Sequence, residues 1–122
     1  MPRLMKARSH GDPSDVEAEA RLLTTDAGLA FLGEVSAVGE PGPADIARWR
    51  KSAEAPTVSA ALRLAGCRRK GLVKFSRAAA MWLEPVALEQ ATSETVARHK
   101  ARRFERAALA IDLCAGLVQI QA

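Results

Sequence analysis

Residues 57–76 read TVSAALRLAGCRRKGLVKFS, and the period of this stretch decides the fold. Val58, Ala61, Leu62, Ala65, Leu72 and Val73 recur at steps that place them on one stripe of a helix. The spacing predicts a helix over 57–76, loosened at Gly66 or Gly71, where a missing side chain weakens helical preference. Its other faces carry Arg63, Arg68, Arg69, Lys70 and Lys74, Arg77 follows, and no acid interrupts the cluster.

The same helical character extends upstream. Ser14 and Glu17 have the spacing of a capping box, which predicts a short helix over 15–23. Thr25 is placed to cap the next helix, DAGLAFLGEVSAV, whose Leu29, Phe31, Leu32 and Val35 fall mostly on one face. GEPGP (39–43) breaks that helix, and Pro43 suits the first turn of a third, ADIARWRKS. Trp49 is read there as a core anchor, because nothing near it completes a platform for stacking a base. Residues 1–13 show no apolar period and end in Gly-Asp-Pro, so they read as a mobile tail in which His10 has no assigned role.

A chain of 122 residues has length for one domain, able to bury roughly two thirds of its unfolded surface. Apolar residues make up 48% but aromatics only 4%, which favours small helix–helix contacts and a thin core. Cys67 and Cys114 lack the spacing of a metal knuckle, and no stretch has membrane length or a signal core. These features predict a cytosolic protein with reduced, structural thiols, no metal and no membrane partner.

Charge is unevenly placed around a net +4. Residues 12–34 hold Asp12, Asp15, Glu17, Glu19, Asp26 and Glu34 against Arg21 alone. The second half holds the cluster at 63–77 and another of Arg98, Lys100, Arg102, Arg103 and Arg106 against Glu105. Such a field suits a partner with phosphates. Arg68, Arg69, Lys70, Lys74, Arg98, Arg102 and Arg103 are the candidate nucleic-acid contacts; a solvated helix face is the other reading of the same charges.

Downstream, MWLEPVALEQAT reads as an irregular connection with one short turn of helix, since Pro85 disfavours helix at Glu84. Thr92 or Ser93 caps a further helix, with Val96, His99, Arg103 and Ala107 along one side. LAIDLC then has the near-continuous apolar character of a buried parallel strand, and it follows a helix, the order of an α/β sheet.

Several segments together resemble bacterial class I S-adenosylmethionine-dependent methyltransferases with a THUMP-like domain, related to trimethylguanosine synthase. The resemblance spans about residues 20–117. It rests on Leu22-Leu23-Thr24, Lys74-Phe75, Leu88 to Thr92, the VAxHxAxR pattern that begins at Val96 and runs through Arg102, and the DLCxG of Asp112 to Gly116, in that order. It implies a helical N-terminal extension on a Rossmann-like domain that binds S-adenosylmethionine and methylates RNA. By resemblance Asp112 begins the cofactor motif, and Gly116 supplies its first glycine, where backbone must approach cofactor closely. Thr92 and His99 match positions near the domain junction; His99 is read as a packed or capping helix residue, and no residue is assigned a catalytic role.

The family continues G-x-G-x-[DN], whereas Gly116-Leu117 is followed here by VQIQA. One inserted G before the Val118 codon turns GTN-CAR-ATH-CAR-GCN into GGT-NCA-RAT-HCA-RGC. That reads Gly, a small residue or Pro, Asp or Asn, Thr, Ser or Pro, and Gly or Ser, which restores the family pattern. The chain is accordingly expected to be a frameshifted or truncated methyltransferase, or one that a sequencing error makes appear so, inactive alone and binding no S-adenosylmethionine.

The expected fold is mainly α: a tail at 1–13, a helical extension at 14–107, and at 108–122 one β-strand that would begin a Rossmann-like methyltransferase sheet, with a truncated cofactor loop. Two alternatives remain. One is a self-contained basic helical module that binds nucleic acid; the other is a helical interaction module whose strand pairs with a partner sheet.

Overall fold

A computed structural model describes residues 13–111 and 113. Among them are six α-helices and two single 3-10 turns, with no strand. The helices are α1 (Pro13–Thr24), α2 (Asp26–Val38), α3 (Pro43–Ser52), α4 (Ala55–Gly71), α5 (Pro85–Gln90) and α6 (Glu94–Ala101). The mainly helical reading holds. The chain divides into two compact units, one up to Arg63 and one from Leu64, so α4 contributes to both.

The first unit is built on local signals. Thr25 alone separates α1 from α2, and its hydroxyl oxygen accepts from the Gly28 N–H at 3.0 Å while its own proton goes to the Arg21 carbonyl at 2.7 Å. One side chain thus ends α1 and starts α2. Gly28 makes this junction sterically feasible: a Cβ there would lie 2.5 Å from the Arg21 carbonyl oxygen and 2.6 Å from Leu22 Cα. Helix α1 begins at Pro13, one residue ahead of Ser14, so Ser14 lies inside the helix and the Glu17 carboxylate pairs with Arg21 one turn on. The helix thus starts ahead of the expected residue 15.

Pro43 opens α3, and the Gly42 N–H donates to the Asp45 carboxylate at 3.0 Å. The core of this unit holds Leu22, Leu32, Val35, Trp49, Val58, Ala60 and Ala61. Trp49 is 1% exposed, stands edge-on to Phe31 at 6.3 Å, and donates its indole N–H to Glu34 at 3.1 Å. It is the core anchor expected, and burying so large a side chain contributes on the order of 2 kcal/mol or more. Leu29, by contrast, is half exposed, because the buried stripe of α2 passes through Leu32 and Val35.

Arg63, counted with the second-half basic cluster, belongs to the first unit and meets acids of the acidic segment. Its Nε donates to Glu19 at 2.7 Å, and its Nη1 lies 3.9 Å from Asp15. Glu19 is buried, and Arg63 supplies the opposite charge that a carboxylate in such a place needs.

In the second unit α4 stops at Gly71 instead of running to Ser76. The amides of Lys74 and Phe75 both turn back to the Gly71 carbonyl, at 2.9 and 2.8 Å. Leu72 and Val73 therefore leave the helical stripe; Val73 is 91% exposed. The cause is packing beyond the helix: a Cβ at Gly71 would meet Leu83 at 2.8 Å and Ala78 at 3.1 Å. Those residues join Cys67, Phe75 and Leu88 in one core cluster, with Met81 and Ala91 against it. Cys67 is thus a buried core thiol.

Glu84 is extended, as the residue before proline should be, and its carboxylate accepts from the Val86 and Ala87 amides to cap α5. Ser93 occupies the N-cap position of α6, though its hydroxyl makes no cap bond. Helix α6 ends at Ala101, and Arg103 falls in the following 3-10 turn, so the expected stripe through Arg103 and Ala107 does not continue as a helix. Leu109, Ala110 and Ile111 are exposed and not in a strand, because among the described residues no neighbouring strand offers them an edge to pair with. Asp112, Cys114 and Gly116 lie outside the described residues, as does the tail apart from Pro13. No helix of the described residues is long and apolar enough to cross a membrane.

Candidate nucleic-acid interface

The turn Lys74–Ser76 holds the second unit together. The Lys74 ammonium donates to the carbonyls of Leu88 at 2.7 Å, Glu89 at 2.9 Å and Ala91 at 3.0 Å. These are carbonyls at the end of α5 that have no partner inside the helix, and a cation there also suits the helix dipole. The Lys74 carbonyl in turn accepts from the Glu94 N–H at 2.8 Å, tying the start of α6 to the same turn.

Two residues on, the Glu94 carboxylate receives the Ser76 N–H at 2.8 Å, the Ser76 hydroxyl at 3.1 Å and Arg98 at 2.6 Å. Donation by the Ser76 amide, then by its hydroxyl, and lastly the charge of Arg98 hold the Glu94 carboxyl down at about 2. Glu94 is therefore ionised at neutral pH and steers Arg98.

Beside this clasp opens a cleft of about 460 Å³ lined by Ser76, Glu94, Thr95, Arg98, His99 and Arg102. Thr95, Arg98 and His99 share one face of α6, which buries none of its residues, and Arg102 follows in the 3-10 turn at its end. A stripe that would usually be apolar and packed is here polar and lines a hollow. Arg98 and Arg102 give the cleft a net positive charge although the Glu94 carboxylate also lines it, and a concave surface focuses such a field.

The structure separates the candidate contacts into three groups. Arg98 and Arg102 come together in the cleft, while Arg103 is exposed outside its lining. Arg69 and Lys70 are exposed at the end of α4. Lys74 and Arg68 are committed to the fold: Arg68 Nε donates to the Met81 carbonyl at 2.8 Å, and burial lowers the pKa of its guanidinium. His99, read as a packed or capped helix residue, is in the last turn of α6 and exposed on the cleft wall, so it is not packed.

Ser76, Thr95 and His99 were not among the sequence candidates. A helical stripe drawn from Thr95, one position before Val96, picks out Thr95 and His99 together with both arginines. Ser76 is brought in only by its bond to Glu94, eighteen residues away. Among the described residues no group of three or more His, Cys, Asp or Glu side chains is placed to hold a metal ion.

No family model matches the chain, and neither a curated protein nor a solved structure is found to resemble it.

Proposed function

We propose that the chain is the helical N-terminal part of an S-adenosylmethionine-dependent methyltransferase acting on RNA in the cytosol, and that its share of the work is to hold the RNA. The observation that carries this reading is a convergence. Lys74-Phe75, Leu88–Thr92 and Val96–Arg102, three separate segments of the resemblance, meet through the Lys74 ammonium on α5 and the Ser76–Glu94–Arg98 bonds on α6. Segments that share one clasp can set a single surface. That surface presents Arg98 and Arg102 to solvent, which supports contact with phosphates.

Leu109, Ile111 and Leu113 support the second half of the proposal. They are 76%, 74% and 90% exposed, yet their residue types suit a buried strand. A following Rossmann-like domain would cover them as its first strand, with Asp112 and Gly116 at the head of the cofactor loop. In the whole enzyme the sulfonium of S-adenosylmethionine supplies the methyl group to a nucleobase nitrogen, and the extension contributes positioning. The chain alone then binds RNA but neither binds the cofactor nor methylates.

Calorimetry tests this reading: no heat of S-adenosylmethionine binding is expected from the purified chain, and saturable micromolar binding overturns it. A second reading, a self-contained RNA-binding module, is favoured by the cleft itself, which needs no further domain. Thermal unfolding separates the two. A self-contained module melts cooperatively and stays soluble, whereas an extension carrying an uncovered apolar segment aggregates.

A further inference from the structure

We infer that the cleft between Ser76 and the Thr95–Arg98–His99–Arg102 face is a phosphate subsite that grips an internal backbone phosphate of single-stranded RNA. This rests on the RNA reading above and names the atoms that would make the contact.

Arg98 lies in α6 and Arg102 opens the 3-10 turn four residues on, and both line one hollow with Thr95 and His99, while the Ser76 hydroxyl on its wall donates to Glu94. Guanidinium forks match the oxygens of a phosphate and bind it through charge-assisted bonds. Arg98 is held in place by Glu94, whose side chain is only 14% exposed while that of Arg98 is 62% exposed. The acid is thus turned inward and the base outward, and Arg98 retains further N–H groups for a ligand. Among the described residues Arg102 makes no ion pair, so its charge adds to the cleft undiminished.

The shape argues against a flat solvated face. Arg50 and Lys51 on α3 are as cationic and as exposed, yet they line neither this cleft nor the smaller hollow of about 310 Å³ in the first unit. A hollow of about 460 Å³ has room for a phosphate with its flanking sugar. The same chemistry would accept a free phosphate or a terminal one, so the test separates these sources.

Binding of the full chain is measured with three probes: inorganic phosphate, a single-stranded oligoribonucleotide with hydroxyl ends, and the same oligonucleotide with a 5′-phosphate. The expected result is equal binding of both oligonucleotides and far weaker binding of inorganic phosphate. Arg102→Gln should weaken oligonucleotide binding about tenfold or more. It should also reduce the slope of log K against log salt by about 0.7, the value of one lost phosphate contact on a single strand. Ser76→Ala should act in the same direction, and Arg50→Gln should change neither quantity.

If the chain binds the oligonucleotide and Arg102→Gln behaves like Arg50→Gln, the cleft inference fails and the RNA reading stands. A strong preference for the 5′-phosphate or for inorganic phosphate overturns the internal-phosphate assignment. Absence of any salt-dependent binding sinks both. Helical circular dichroism equal to that of the parent chain shows that each variant is folded; Arg102 is exposed, so its replacement removes no packing.

Discussion

The Lys74 ammonium sits 2.7 Å from the carbonyl oxygen of Leu88, fourteen residues along the chain, and its remaining donors reach Glu89 and Ala91. A residue that the sequence presents as one of a run of cations is thus the cap of a helix. Lys74→Met should lower the stability of the second unit by about 1–3 kcal/mol, because three carbonyls lose a charged donor. RNA affinity of the variant, measured well below its melting temperature, should stay within about twofold of the parent chain, less than one hydrogen bond contributes. Chemical denaturation and anisotropy titration together check this.

Glu94 predicts an acid dependence. Its folded pKa of about 2 lies below that of an ordinary carboxyl, so its contribution to stability is fully present above the ordinary carboxylate range and is lost as pH falls from there towards 2. Melting temperature followed over that range should therefore fall, and Glu94→Gln should flatten part of the fall while lowering stability at neutral pH.

Gly28→Ala should destabilise the first unit by roughly 1–3 kcal/mol, since the added carbon would press on backbone atoms of α1 that cannot move aside as a side chain could. Gly33→Ala is the control: nothing lies within 4 Å of the added carbon, and the change should be neutral or slightly stabilising. Urea midpoints of the two variants should shift in opposite directions or differ by more than error.

Arg63→Met should cost about 1–3 kcal/mol, less than for a fully buried pair because about a quarter of the Arg63 side chain remains exposed. The loss arises mainly from leaving Glu19 buried without its cation. Glu19→Gln added to Arg63→Met should recover part of it, and a double-mutant cycle measures the coupling.

The legible parts of this fold were those with short-range causes. Thr25 and Pro43 start α2 and α3 through bonds and dihedrals within a few residues, and Pro85 fixes the extended Glu84 before α5. The end of α4 was not legible, because Gly71 is required by Leu83 and Ala78, side chains that arrive from later in the chain. In the sequence the stripe of α4 therefore runs on through Leu72 and Val73. The cleft was half legible: Arg98 and Arg102 stand out by charge, whereas Ser76 joins them only through Glu94. Charge counting likewise could not separate Lys74 and Arg68, whose donors are spent on backbone carbonyls, from arginines that face solvent.

The central claim, that these helices belong to an RNA-directed methyltransferase, is tested most directly by the nucleotide sequence of the gene beyond the Leu117 codon. The account predicts that a shift of one position there opens a frame reading Gly, any residue, then Asp or Asn, followed by further strands and helices of a class I methyltransferase. A downstream sequence with no such frame in any register would contradict it.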